Sequence, residues 1–303
     1  MDQERIDAVI FEKQLEYIKA QTFDEVLSDL KAVVLLPVTS EIPEWATEMT
    51  WRSYKGYGVA KFIADMANDY PMAEVGGSEQ SRKIHTIGAG YDYSEKELIR
   101  AAKAGVPLDA KKAAAARRAI EEKLDSIAWD GDTSHNIPGF LSYPGITEYT
   151  VPATGTGTTK TWSTKTSDQI LTDLYGIMNA IETSTDGKEK ANTIILPRVE
   201  YLRIKQKRLS DYSEKTVLQY FLDANPGVTV DYLDNLAGAG ASDTNRFMAY
   251  NKSSDKLALE IPMMLKQKEV YRTGVNKWLV PMEASVAGVI VYRPLSVAFG
   301  DGI

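Results

Sequence analysis

One stretch of the sequence decides the fold, and it runs from Ser94 to Asp132: SEKELIRAAKAGVPLDAKKAAAARRAIEEKLDSIAWDGD. Ser94 followed by Glu97 forms a capping box, which predicts that a helix starts there. This first helix is expected to stop at Gly105, because Pro107 cannot continue it. The stretch therefore predicts two helices, one after the other.

The second predicted helix is the longest element in the chain. Asp109 is expected to cap it, and it should extend to about Ala128, with Gly131 fitted to its C-terminal cap. Its apolar residues recur at three- and four-residue steps, which places them on one helix face. They are Ala113, Ala116, Ile120, Leu124 and Ile127. At about 1.5 Å per residue the helix would be roughly 30 Å long, enough to cross a domain.

Composition limits the classes of protein to which the chain can belong. The 303 residues carry a net charge of −7, and their 44% hydrophobic content is typical of a globular protein. An acidic chain is a poor candidate for binding nucleic acid by bulk charge, since phosphate contacts need clusters of lysine and arginine. Cysteine is absent, which excludes disulfides and thiol chemistry. No apolar run approaches the roughly 20 residues of a membrane span, and the charged N-terminus is unlike a secretory signal.

The residues that open the chain predict a helix followed by an arm. Residues 1 to about 30 have an interrupted apolar stripe that favours a helix. The apolar run from Val33 to Leu36 indicates a buried strand. Residues 38–47, which include Trp45, are predicted to be an extended arm lying on some surface.

Residues 47–92 predict two strands separated by a long tract that contains several glycines. Glu48–Tyr54 and Arg82–Tyr93 have the pattern of strands, and roughly 27 residues lie between them. Loops of this length are unusual inside a compact domain and are normally functional. Five aromatic residues here cannot all be buried by a two-stranded ribbon, so a partner surface is their expected location. They are Trp51, Tyr54, Tyr57, Phe62 and Tyr70.

The remainder of the chain mixes helices and strands, which predicts an α+β fold. Residues 150–167 are rich in threonine and glycine and are expected to be a loop or a flexible flap. Ser167 or Asp168 should cap a helix, and Gly238–Ser242 should be a flexible tip. Further helices are predicted at Pro197–Arg203 and Glu214–Asp223, and strands near Asn192–Leu196, Val228–Val230, Phe247–Tyr250, Leu257–Ile261 and Lys277–Arg293.

Several segments together resemble a known family. They are GYGVAKFIAD at 56–65, IGAGYDYSEKELIRAAKAG at 87–105, LDAKKAAAARRAIEEKLDSIAWDGD at 108–132, NIPGFL at 136–141 and VYRPLSVAFGDGI at 291–303. In their order and spacing they are similar to the major capsid proteins of tailed bacteriophages, which have the Hong Kong 97-type capsid fold. The resemblance covers nearly the whole chain, and none of its segments is a catalytic motif.

That resemblance implies a division of the chain into named parts. Residues 1–46 would be the N-terminal arm, and residues 47–92 an extension loop that lies over a neighbouring subunit. Residues 93–166 would form the peripheral domain, with residues 109–128 as its spine helix. Residues 167–275 would form the axial domain around the capsomer axis, and residues 276–303 would return to the peripheral domain.

The implied function is that of a major capsid protein with no enzymatic activity and no cofactor. It would assemble with itself into hexamers and pentamers of an icosahedral head that encloses double-stranded DNA, without sequence-specific DNA binding and without a membrane. Portal, scaffolding and decoration proteins would be further partners. The protein would reside in the virion after assembly in the host bacterial cytoplasm. Some relatives crosslink their subunits through lysine, but no motif assigns a partner to Lys61 or Lys83, so no crosslink is expected.

Two short segments allow a more specific interpretation. Asp130, Asp132 and His135 could ligate a metal ion, but their spacing does not fit an EF-hand, and a helix-end turn is the preferred interpretation. The segment from Gly155 to Lys160 suggests a phosphate loop but lacks the required Gly-Lys-Ser/Thr ending.

A basic patch consists of Arg203, Lys205, Lys207 and Arg208. Because the chain as a whole is acidic, an intersubunit ion-pair surface is favoured over a nucleic-acid contact. With Trp45 and the five loop aromatics, these four residues are the predicted intersubunit contacts.

Three classes of function are compatible with the sequence. A shell protein would assemble through its arm, loop and axial tip without chemistry. An α+β enzyme or carrier is disfavoured, because no acid–base or nucleophile grouping is present and His85 has no carboxylate nearby in sequence. An encapsulin-like nanocompartment shell would share the phage fold but hold a different cargo.

Overall fold

The computed structural model describes residues 30–62, 70–94, 96–97 and 108–303. Its helices are α1 (Ala32–Leu35), α2 (Leu108–Trp129), α3 (Ser167–Ser184), α4 (Arg198–Gln206) and α5 (Val217–Ala224). Its strands are β1 (Val38–Thr39), β2 (Glu48–Tyr57), β3 (Glu74–Lys83), β4 (His85–Ser94), β5 (Gly131–Asp132), β6 (Ile137–Pro138), β7 (Thr147–Tyr149), β8 (Thr193–Leu196), β9 (Thr229–Tyr232), β10 (Arg246–Tyr250), β11 (Leu257–Glu260), β12 (Met263–Gln267), β13 (Tyr271–Gly274), β14 (Lys277–Val286), β15 (Gly288–Val291) and β16 (Val297–Asp301).

The helices predicted for residues 1–30 and from Ser94 to Gly105 lie almost wholly outside the described residues. The start of the helix predicted from Ser94 is described: residues 96–97 are helical, and the Glu97 backbone N–H donates to Ser94 Oγ at 3.2 Å. This contact is half of the predicted capping box.

The long helix α2 buries the apolar stripe that the sequence predicts. Ala116, Ile120, Leu124 and Ile127 are buried, and Ala113 packs against them. This stripe packs against the sheet beneath the helix, where β14 contributes Met282, Ala284 and Val286. The predicted face is therefore confirmed, and the polar residues of the helix remain on the opposite side.

The two ends of α2 depend on backbone conformation. The helix begins at Leu108, so Asp109 lies in its first turn and not at its cap; such one-residue differences are common at helix ends. After Trp129 the chain turns at Gly131, which has a φ of +79°. A Cβ at this position would lie 2.3 Å from the Gly139 backbone nitrogen, so only glycine fits between the two chains of the β5–β6 pair.

Replacing Leu124 with alanine is expected to lower the free energy of unfolding by about 2–3 kcal/mol. This is near the lower end of the range for buried leucines, because Leu124 also lines a small cavity at the edge of its cluster. The exposed neighbour Glu121 is the matched control, and its replacement with glutamine should cost less than about 0.5 kcal/mol. Chemical denaturation measures both values; equal losses would contradict the assigned helix face.

The segment predicted as one strand, Arg82–Tyr93, is divided between two sheets. β3 pairs with β2 to form a two-stranded ribbon, which we call the extension ribbon, whereas β4 pairs along its whole length with β14. The ribbon therefore reaches further than predicted, and the interval between its strands is residues 58–73 instead of about 27 residues. The sequence pattern missed β3 because the strand is exposed on both faces and has no apolar alternation.

A five-stranded sheet of order β7–β16–β10–β8–β9 forms the centre of the other half of the molecule. Its central strands are buried on both faces, which explains their continuous apolar sequences, such as Thr193–Leu196. One face packs against α3 and α5, and the other faces a core that contains Trp129 and Phe140. The helix predicted after Ser167 is confirmed as α3, but its cap is Thr166, one residue earlier than expected, in a capping box with Gln169.

The predicted strand at Val33–Leu36 is wrong. Residues Ala32–Leu35 form the short helix α1, and Val33 and Val34 are exposed. A run of four apolar residues cannot distinguish a buried strand from a helix, and here Asp125 Oδ1 accepts the Ala32 backbone N–H at 2.8 Å. The following residues Val38–Thr39 pair with β11, so this part of the arm is extended, as predicted.

Two segments expected to be flexible are held by specific contacts. The tract at 150–167 carries Trp162 and Lys165, both of which are buried. At Gly238–Ser242, the Ala241 backbone N–H donates to Asp301 Oδ2 at 2.9 Å. Local composition predicts neither feature. The burial of Trp162 and Lys165 depends on tertiary packing, and Asp301 is distant in sequence from Ala241.

The strands of the last part of the chain belong to different sheets. β14 lies under α2, whereas β16 pairs with β10 and β7 in the five-stranded sheet. Residues 257–274 form strands that pair outside that sheet, with β14 and β15. Pairing between strands so far apart leaves no local signal, so only the folded chain shows these partners.

Candidate assembly interface

The extension ribbon projects a two-stranded ladder that lacks an apolar core. Its register runs from Glu48 opposite Lys83 to Tyr57 opposite Glu74. Arg52 Nε donates to Glu79 Oε2 at 2.7 Å across the strands. Ten residues per strand give the ribbon a length of about 30 Å. A two-stranded ribbon is marginally stable alone, so its stability depends on whatever covers it.

Most of the predicted contact aromatics are exposed, as the sequence indicated. Relative exposure is 70% for Tyr54, 55% for Tyr57 and 62% for Tyr70, and Phe62 is fully exposed. Trp45, on the arm beside the ribbon, is 83% exposed. Aromatic side chains each bury about 150–250 Å² when covered, so this set is a large apolar surface for a partner.

Trp51 differs from the other aromatics because it contacts the body of the subunit. Its ring lies edge-on to Tyr292, with 6.2 Å between the ring centroids. Next to this contact, the Ile84 backbone N–H donates to the Thr47 carbonyl oxygen at 2.9 Å. Trp51 therefore anchors the root of the ribbon, and the exposed aromatics lie farther along it.

The basic patch is divided by the structure. Arg203 donates to the buried Glu200 carboxylate at 2.8 Å, and Lys207 Nζ contacts the Lys165 carbonyl oxygen. Burial, together with the nearby Arg203, lowers the pKa of Lys207. Within the patch, Lys205 and Arg208 are exposed and Arg203 and Lys207 are half-buried, so Lys205 and Arg208 are the members most available to a partner.

Two exposed apolar residues on α4, the helix that carries Arg203 and Lys205, were missed by the sequence analysis. Val199 and Leu202 lie on the outer face of α4, beside a groove of about 550 Å³. Their three-residue spacing was a usable signal, but the charged residues between them masked it. The outer face of α4 is therefore partly apolar and partly basic.

The carboxylate of Asp132 caps the turn that follows β5. It accepts the Ser134 and His135 backbone N–H groups at 3.0 and 3.3 Å, and Lys123 Nζ at 3.1 Å. Hydrogen bonds from Ser134, His135 and Lys123 hold the pKa of Asp132 far below its usual range. Asp130 contacts Asn235 instead. These hydrogen bonds support the interpretation as a helix-end turn, and across the described part of the chain no group of three potential metal-ligating side chains is present.

Comparison with known proteins identifies the family. A family model described as major capsid protein matches residues 58–303. The chain belongs to the major capsid protein family. Among the described helices of this capsid protein, none has the length and apolar character needed to cross a bilayer.

Solved structures have the same fold. The capsid of Myoviridae phage XM1 has a TM-score of 0.81 and 21% identity, covering 96% of this chain and 98% of that chain. The capsid of the native GTA particle has a TM-score of 0.67 and 11% identity, with 97% of each chain covered. A virus-like particle from Pyrococcus furiosus has a TM-score of 0.58 and 13% identity, covering 88% of this chain and 90% of that chain. No curated protein matches the sequence. The capsid protein thus has the Hong Kong 97-type fold expected from its sequence, and its family is that of capsid shell proteins.

Proposed function

We propose that this protein assembles into hexamers and pentamers that close an icosahedral phage head around double-stranded DNA. The observation that carries the proposal is the extension ribbon, on which Tyr54 and Tyr57 are exposed in the single subunit. In a ring of subunits, the ribbon of each subunit would lie across the next copy. This contact would cover the exposed aromatic side chains. Such a contact joins two different surfaces, which is the geometry that closes a ring.

A second contact would form around the capsomer axis. The outer face of α4 carries Val199, Leu202 and the exposed Lys205, and the exposed Arg208 follows the end of the helix. An apolar centre with a charged rim is the usual anatomy of a protein–protein interface. The axial domain expected at residues 167–275 would supply this contact, and the sheet under α2 would belong to the peripheral domain.

The proposed role is structural and requires no catalysis. The ion pair between Lys165 and Asp173 is buried and is therefore inaccessible to a substrate. Portal, scaffolding and decoration proteins would be partners of the assembled head, which would form in the bacterial cytoplasm. An encapsulin-like shell is the alternative, and the family match and the phage capsid neighbours favour the phage head over it.

Electron microscopy of the purified chain tests the proposal. Closed shells of uniform size are the expected result, and sedimentation of the same sample should show their mass. A chain that remains monomeric over a range of salt and protein concentrations would contradict self-assembly. Cargo that copurifies with shells distinguishes a nanocompartment from a phage head.

Free subunits are expected to have negligible affinity for duplex DNA at physiological salt. The chain carries 42 acidic and 35 basic residues, so its net field repels the phosphate backbone and would allow DNA to move along the inner wall. Fluorescence anisotropy with labelled duplex across a salt series measures this affinity, with a basic DNA-binding protein as the positive control. Tight binding that weakens steeply with salt would show the prediction to be wrong.

A further inference from the structure

A cavity of about 410 Å³ lies at the root of the extension ribbon, where the ribbon meets the turn after α2. The ribbon side contributes Arg82, Lys83 and His85, and the turn contributes Ser134 and His135. Glu48 is the carboxylate among the lining residues, and it lies opposite Lys83 in the strand register. The lining contains two cations, Arg82 and Lys83, and one carboxylate, Glu48. With both histidines neutral, one positive charge of the lining is therefore left unbalanced.

Arg82 is the source of that charge. Its side chain is half-buried, and its Nη1 atom is excluded from solvent without a hydrogen-bond partner. Within the described residues it forms no ion pair, whereas Arg52, on the opposite strand of the same ribbon, binds Glu79. A partly buried guanidinium without an acceptor is unfavourable, because desolvation is not offset by a hydrogen bond.

The histidines add a second unpaired group. His85 and His135 are the two histidines of the chain, and their ring centroids are 4.9 Å apart. The Nε2 atom of His85 is also buried without a partner. Asp132 does not supply the missing acceptor, because Lys123 and the turn N–H groups already engage its carboxylate.

We infer that a carboxylate side chain from a second copy of this chain occupies the cavity and binds Arg82. The inference rests on the proposed shell function and specifies one contact of that shell. A guanidinium has a planar fork of donors that matches a carboxylate, which makes the carboxylate its best partner in a protein. A ribbon that lies on a neighbouring copy brings its root close to that copy, whose surface is rich in acidic residues.

The test compares Arg82→Gln with Arg117→Gln, which removes the same charge from the exposed face of α2. Circular dichroism first establishes that both subunits are folded, and sedimentation then measures the critical concentration for assembly. Arg82→Gln should raise this concentration at least about tenfold, which corresponds to about 1.4 kcal/mol per contact, and Arg82→Lys should restore part of the loss. Arg117→Gln should leave it unchanged, because Arg117 is an exposed residue of α2 outside the proposed contacts. Equal critical concentrations for the Arg82→Gln variant and the unmodified chain would overturn the inference.

A second measurement does not depend on the variant. Electron microscopy of unmodified shells, at a resolution that shows side chains, should place a carboxylate of another copy within hydrogen-bond distance of Arg82. An ordered phosphate in the cavity, or no anion at all, would overturn the inference while leaving the shell function intact. Failure of the unmodified chain to form any shell would instead contradict the proposed function.

Discussion

Replacing residues 58–73 with a two-residue Asn-Gly turn is expected to abolish shell formation and to leave the subunit folded. Tyr57 and Glu74 are opposite each other in the ribbon, so a two-residue turn can join them without changing the register. The deletion removes Phe62 and Tyr70, which are exposed and contact no core cluster. Burying one such aromatic ring contributes about 2 kcal/mol, and every subunit of the shell would lose this contribution.

Circular dichroism and sedimentation separate the two consequences of this deletion. The helix signal of α2 and α3 should be retained, because these helices pack in clusters that include none of the described residues 58–62 and 70–73. In a control variant, a Gly–Ser segment of the same length replaces residues 58–73. This variant separates the loss of the aromatic side chains from the shortening of the segment. Normal shells from the shortened chain would mean that this segment is dispensable for assembly. An unfolded product would mean that it belongs to the core of the subunit.

Replacing Lys165 with methionine is expected to destabilise the subunit by about 3–5 kcal/mol. Lys165 Nζ donates to Asp173 Oδ2 at 2.6 Å and to the Pro152 carbonyl oxygen at 2.8 Å, and both charged side chains are inaccessible to solvent. Trp162 Nε1 donates to the same carboxylate oxygen at 2.8 Å. Without the lysine, Asp173 would be a buried carboxylate with no cation to balance it.

The pH dependence of this variant gives a further check. Burial raises the pKa of Asp173 even with Lys165 present, and removal of the cation should raise it further. A carboxyl group whose pKa is raised by folding stabilises the folded state at low pH, and this stability is lost as the pH rises. The cost of Lys165→Met should therefore be smallest near pH 4 and largest at neutral pH.

Two controls accompany the Lys165 experiment. Adding Asp173→Leu should recover much of the lost stability, because a well-packed apolar pair can replace a buried ion pair. Lys188→Met changes an exposed lysine whose nearest carboxylate is 4.0 Å away, so it should cost less than about 0.5 kcal/mol. Urea denaturation at several pH values measures all three variants. A loss from Lys165→Met as small as that from Lys188→Met would show that the buried pair contributes little.

Local sequence determined the elements whose stability is local. Alanine content and the stripe from Ala113 to Ile127 were sufficient to predict α2 and its buried face, because helix periodicity directly reports which side is covered. Glycine at position 131 was sufficient to predict where the helix ends, because few other residues adopt its conformation. The exposure of Tyr54, Tyr57, Phe62 and Tyr70 also followed from the sequence, since a ribbon has no core to bury them.

Only the tertiary structure decided which strands pair and which charges are balanced. β3 had no apolar pattern and became visible only through its ladder with β2, and β16 joined the five-stranded sheet through partners far away in sequence. Arg203, predicted as part of an open patch, is bound to the buried Glu200, whereas Arg82 is left without an acceptor. Backbone pairing and desolvation depend on atoms brought together from distant parts of the chain, and the order of residues alone does not contain those distances.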